Sequence, residues 1–122
     1  MADINAALGG LLHDSTAMGS SSNGNNIDFA GREFSLDVYS DATGDRAGTC
    51  YFEVSNDAST WHEYALKDRD TGATITFTVT ASTEFKHHID VVNCRAKYAR
   101  FRWAQSSGTT GTLTVRCARV RP

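Results

Sequence analysis

Long apolar runs are missing from this chain. The most hydrophobic stretch near its start, residues 4–12, is broken by Asn5, Gly9 and Gly10 and preceded by Asp3 where a signal peptide carries basic residues. Neither a signal peptide nor a membrane span is expected there. Cysteine is scarce: Cys50, Cys94 and Cys117 are odd in number and have no C-x-x-C spacing, which leaves a disulfide framework and a zinc site without a pattern to rest on. Cys50 shares its phase with Phe52 and Val54, and Cys117 with Leu113 and Val115. All three cysteines read as buried thiols in a reducing cytoplasm. A single disulfide between two of them stays open, because pairing depends on geometry.

Catalytic signatures are absent too. No G-x-S-x-G, H-E-x-x-H, P-loop or G-x-G-x-x-G occurs. The histidines are His13, His62, His87 and His88; the adjacent pair points to opposite faces of a regular strand and cannot grip one metal together. Asp68 and Asp70 flank Arg69 and precede Thr71 and Gly72, which reads as a hairpin turn, with calcium as the alternative. The expectation is a protein without catalytic residues, metal or cofactor.

The last absence is of acid. All 14 acidic residues lie at or before Asp90, with five basic ones, whereas the segment from Cys94 onward has seven arginines and lysines and no acid. The total charge of −2 gives no bulk-charge case for binding nucleic acid, yet the two parts carry opposite charge. One reading is that basic late strands lie beside acidic early ones and form cross-strand pairs. The other is that Arg95, Lys97, Arg100, Arg102 and Arg116 face an acidic partner.

What is present is one domain's worth of chain, 122 residues with 40% hydrophobic content, enough to close a core unaided. Residues 3–13 place Ile4, Leu8, Leu11 and Leu12 at the spacing of one helical stripe. A short amphipathic helix is expected, weakened by Gly9-Gly10 and in need of a surface to lie on. Serine, glycine and asparagine dominate residues 18–26, which read as a flexible linker. Residues 1–26 are therefore expected to form an arm that docks on a partner through Ile4, Leu8, Leu11 and Leu12.

From Ile27 onward the period switches to two. Phe34, Leu36 and Val38 alternate with polar residues, as do Cys50, Phe52 and Val54; Ile75, Phe77 and Val79; Phe85, His87, Ile89 and Val91; Ala99, Phe101 and Trp103; and Leu113, Val115 and Cys117. With residues 61–66 that makes seven or eight strands. Asp, Asn, Ser and Gly clusters at 41–45, 56–59, 68–72 and 106–111 supply turns. The pattern predicts an all-β fold, an antiparallel two-sheet β-sandwich of jelly-roll type over residues 27–122, with a short N-terminal helical arm.

Two stretches carry a resemblance. Residues 48–66, GTCYFEVSNDASTWHEYAL, hold a strand, an S-N-D turn and a tryptophan, and residues 98–118, YARFRWAQSSGTTGTLTVRCA, hold a late strand pair. This resembles small β-sandwich structural proteins of tailed bacteriophages. The resemblance implies a non-enzymatic virion component assembled in the host cytoplasm, a capsid decoration or cement protein, with a neck or tail protein as the alternative. It further implies the major capsid protein or other virion proteins as partners, and a homo-oligomer or many copies on a symmetric shell. No membrane and no nucleic-acid partner is expected. The competing class is a small carbohydrate- or ligand-binding sandwich, in which Trp61, Tyr64, Tyr98 and Trp103 would have to supply two or more coplanar exposed rings.

Overall fold

The computed structural model describes residues 3–5, 10–29, 33–68, 70–92 and 94–119, and among them every regular element is a strand. The strands are β1 (Asp3–Asn5), β2 (Gly10–Ala17), β3 (Asn26–Asp28), β4 (Phe34–Ser40), β5 (Ala47–Ser55), β6 (His62–Glu63), β7 (Phe77–Val79), β8 (Phe85–Val91), β9 (Tyr98–Ser107) and β10 (Thr112–Arg119). They form two sheets packed face to face. The first has the order β1-β3-β9-β5-β6 with β7 also on β5, and the second has the order β2-β10-β4-β8. Pairing is antiparallel except that β1 runs parallel to β3.

The period-two pattern accounts for the core. Alternate residues of β4, β5, β9 and β10 turn inward, and Phe34, Leu36, Phe52, Phe101, Trp103, Leu113 and Val115 are buried. Aromatic rings join the layers: Phe34 lies 6.3 Å from Phe52 across the sandwich, and Phe77 meets Phe101 edge-on at 5.1 Å. All three cysteines are buried and free, and burial pushes each thiol's pKa up, which favours the inert protonated form.

The N-terminal segment corrects the helical reading. Residues 3–5 and 10–17 are strands, while residues 6–9, with Leu8, lie outside the described residues. β2 pairs with β10, and the register slips twice, between Leu113 and Val115 and between Val115 and Arg116. Each slip sets an extra β2 residue against β10, a bulge, so the neighbours Leu12 and His13 both turn inward and both are 1% exposed. A bulged strand has neither period two nor period 3.6. Its leucines fell by coincidence on a helical stripe.

The expected linker is equally tied down. Met18 is fully buried and its N–H donates to Gly111 O at 3.0 Å; Ser22 bridges Trp103, and Asn25 N donates to Leu12 O at 2.8 Å. Gly24 has φ +72°, and a Cβ there would meet His13 Nε2 at 2.5 Å, so both backbone and space demand glycine. The sandwich therefore begins before residue 27.

The expected strand at 61–66 shrinks to β6, and the one around Ile75 to β7. Both pair with the same edge of β5, and between them Lys67 and Thr74 form an isolated antiparallel bridge.

One end of the sandwich is closed by Arg46, which is fully buried. Its Nε donates to Ser40 Oγ at 2.9 Å, Nη1 to Gly44 O and Thr80 O at 3.2 Å, and Nη2 to Asp41 O at 2.7 Å and Thr83 O at 2.8 Å. The neighbouring Asp45 accepts from Thr109 N, Thr110 N and Thr110 Oγ1 at 2.7–2.9 Å, which holds its carboxyl below the usual range.

Candidate binding face

The outer face of the first sheet gathers the functional side chains. On β9, Arg100 and Arg102 alternate with the buried Ala99, Phe101 and Trp103; on β5, Tyr51 and Glu53 alternate with the buried Cys50 and Phe52. Register sets Arg102 opposite Tyr51 and Arg100 opposite Glu53. The two arginines converge on one carboxylate: Arg100 Nε donates to Glu53 Oε1 at 2.8 Å and Arg102 Nε to Glu53 Oε2 at 3.2 Å. Covered in this way, Glu53 is only 8% exposed on an outward-facing position. Each guanidinium also lies over a ring, Arg100 over Trp61 and Arg102 over Tyr51, both 4.4 Å from the ring centroid. The sequence puts Trp61 there through the S-N-D turn. Asp57 Oδ1 accepts from Ser59 N at 2.9 Å and Thr60 N at 2.8 Å, bonds that hold its carboxyl down at about 2.

Beside Tyr51 the same face opens into a cleft of about 530 Å³ bordered by Thr49, Thr78, Thr80 and Gln105. Glu63 of β6, paired with Glu53, flanks the other side.

The remaining candidates scatter. Arg116 is exposed on the second sheet, opposite Asp37, on the far side of the sandwich. Arg95 is exposed between β8 and β9, and Lys97 lies 5.0 Å above the Tyr98 ring. Leu12 is core, Leu11 is half-buried on β2, and Ile4 sits on β1 in register with Ile27. Of the stripe expected to dock on a partner, Leu12 is thus withdrawn from the surface, and Leu8 lies outside the described residues. Of the four rings weighed as a sugar platform, Trp103 is fully buried, Tyr64 packs on Phe52, and Trp61 and Tyr98 are half-buried beneath cations.

Sequence reasoning missed Glu53 and Tyr51. Their signal was present in the alternation that put Tyr51, Glu53, Arg100 and Arg102 outward, but the register that joins them is a tertiary fact.

On the second sheet His88 Nδ1 bonds Asp37 Oδ1, and that bond raises the imidazole pKa. Asp68 Oδ1 accepts from Asp70 N at 2.8 Å and Thr71 N at 3.1 Å, a capped turn as the sequence suggested. Among the described residues no group of three or more His, Cys, Asp or Glu side chains is arranged to hold a metal ion.

By sequence the chain matches no known protein family and no curated protein. Among solved structures it is similar to the crystal structure of the SPBc2 prophage-derived protein YomS, with a TM-score of 0.52 and 16% identity over 89% of this chain and 88% of that one. At that identity the likeness establishes the fold, and it runs over nearly the whole of both chains.

Proposed function

We propose that this protein is a non-enzymatic structural component of a tailed-bacteriophage virion, a decoration or cement protein that stabilises the head. The observation that carries the reading is the fold likeness, at a TM-score of 0.52 over 89% of this chain, to a prophage-derived protein. Two features of the site support a binding role. Tyr51, Trp61, Arg100 and Arg102 are the residue types that dominate interface energetics, here brought together on the outer face by ring–guanidinium stacking. Of the rings that a sugar platform would expose, Trp103 lies in the core, Tyr64 packs against Phe52, and Trp61 and Tyr98 lie beneath cations.

Immunogold labelling of virions from the strain that encodes the protein tests the proposal. Gold over the head is expected; gold at the neck or tail moves the protein to that part, and unlabelled particles overturn the reading.

A further inference from the structure

Of the asparagines in this chain, Asn5, Asn23, Asn25, Asn26, Asn56 and Asn93, only Asn23 is followed by glycine. The side-chain carbonyl carbon of an asparagine can be attacked by the backbone nitrogen of the next residue, and glycine presents that nitrogen with no Cβ beside it. The structure sets Asn23 apart a second time. It is exposed, its side chain makes no hydrogen bond to a described residue, and the N–H of Gly24 is likewise unengaged. Both residues lie outside every strand, so no ladder bond holds the Gly24 nitrogen away from the side chain. The neighbouring Asn25 differs, because its Nδ2 donates to Leu11 O at 3.1 Å. Asn56 Oδ1 accepts from Lys97 N at 3.2 Å, and Asn26 precedes the β-branched and fully buried Ile27. At Asn23–Gly24 the two reacting groups are adjacent and free.

We propose that Asn23 is a site of spontaneous deamidation, and that the isoaspartate it yields unfastens the N-terminal strand β2. Gly24 N attacks Asn23 Cγ: a C–N bond forms, the bond from Cγ to the side-chain nitrogen breaks, the Gly24 N–H proton passes to that nitrogen, and ammonia leaves a cyclic imide behind. Water then opens the imide. Cleavage between Cγ and Gly24 N gives aspartate; cleavage between the Asn23 main-chain carbonyl carbon and Gly24 N gives isoaspartate, whose main chain runs through the former side chain and is longer by one carbon. The position makes that extra atom matter. Ser22 N donates to Trp103 O at 3.0 Å and Trp103 N to Ser22 O at 2.8 Å, on the first sheet, while Asn25 N donates to Leu12 O of β2 at 2.8 Å, on the second. Residues 23 and 24 are the whole link between these two fixed points, and they pass close over His13: a Cβ on Gly24 would lie 2.5 Å from His13 Nε2 and 2.7 Å from Leu12 O. A link this short and this closely packed has no slack for another atom, so the Ser22–Trp103 pair and the Asn25 bonds to β2 cannot both persist.

The test holds the full folded chain at mildly alkaline pH and follows its asparagines by mass spectrometry of tryptic fragments, the first of which ends at Arg32. Labelling with isoaspartyl methyltransferase separates isoaspartate from aspartate. Asn23 is expected to convert at least about tenfold faster than Asn25, Asn26 or Asn56, because glycine alone leaves the attacking nitrogen unhindered. In the isoaspartate fraction, amide hydrogen exchange across residues 10–25 is expected to rise about tenfold, the mark of a locally opened segment. Asn23→Asp carries the new charge without the extra atom, and its exchange stays at the starting value. Asn23→Gln closes a larger and slower ring, so the aged variant keeps the exchange of fresh protein. Conversion of Asn23 no faster than that of the other asparagines overturns the site. Isoaspartate at Asn23 with unchanged exchange overturns the unfastening, as does an equal rise in Asn23→Asp, which would assign the effect to charge.

Discussion

His13 joins the two layers. It stands on β2 of the second sheet, and its Nε2–H donates to Phe101 O of β9 at 2.5 Å, while Nδ1 accepts from Thr16 Oγ1 at 3.1 Å. The carbonyl it satisfies lies between the Ser22–Trp103 bridge and the Ile27–Ala99 pair, a gap in the ladder that the imidazole fills. Burial, only partly offset by the bond to Phe101, lowers the pKa from the usual 6.5. The half-buried His87, packed edge-on against Phe77 and Phe85, is lowered for the same reason. As pH falls through 6.5, the unfolded chain takes up protons at these positions that the folded chain does not, so stability must fall toward the lowered folded values. His88 has the opposite sign, because Asp37 raises its pKa; its contribution is present below 6.5 and lost as pH rises through the folded value. It is exposed, so screening keeps that contribution small. Urea unfolding between about pH 7 and about pH 5 should show decreasing stability, and His13→Gln should flatten that slope. An unchanged slope in the variant would remove His13 as its source.

At the scale of the element, β2 decides what the N-terminal segment is for. Its partner β10 would otherwise be an edge strand, and an unpaired edge carries orphan N–H and C=O groups. β2 pairs that edge and becomes the outer strand itself, and its bulge delivers Leu12 into the core. An arm and a core strand make different demands on the same leucine. Leu12→Ala should cost about 2–5 kcal/mol of folding stability, the range for a leucine truncated in a packed interior. A docking arm would leave stability untouched and lose only partner binding. Denaturant titration of the variant separates the two, and a change below about 0.5 kcal/mol would return Leu12 to the surface.

Over the whole molecule, topology explains the uneven charge. β9 and β10, the basic end of the chain, occupy interior positions in the two sheets, β9 between β3 and β5 and β10 between β2 and β4. Basic strands are thereby flanked by earlier acidic ones: Arg100 and Arg102 meet Glu53, and Arg116 lies opposite Asp37. Neither sheet is complete until the last strands insert, so folding depends on pairings distant in sequence and belongs to the slower range of roughly milliseconds to seconds. The only proline is Pro122, beyond the last strand. Refolding of this chain should therefore lack the proline-limited phase of tens to hundreds of seconds. Stopped-flow double-jump experiments check this, and a slow phase that grows with time spent unfolded would contradict it.

The sequence by itself determined the all-β class, the inward phase of the long strands and the turns at 56–59 and 68–72. Period-two alternation and short side chains that bond their own backbone are local properties, legible one segment at a time. It also determined that charge is divided along the chain, but not where the two parts meet. Only the tertiary structure decided that residues 10–25 belong to the sandwich, because a bulged strand has no period of its own and takes its conformation from β10. Only the tertiary structure decided which arginines act together: Arg100 and Arg102 share Glu53 through the register of β5 with β9, while Arg116 went to the opposite face. Strand order and register depend on contacts between residues far apart in the chain, and no local pattern encodes them.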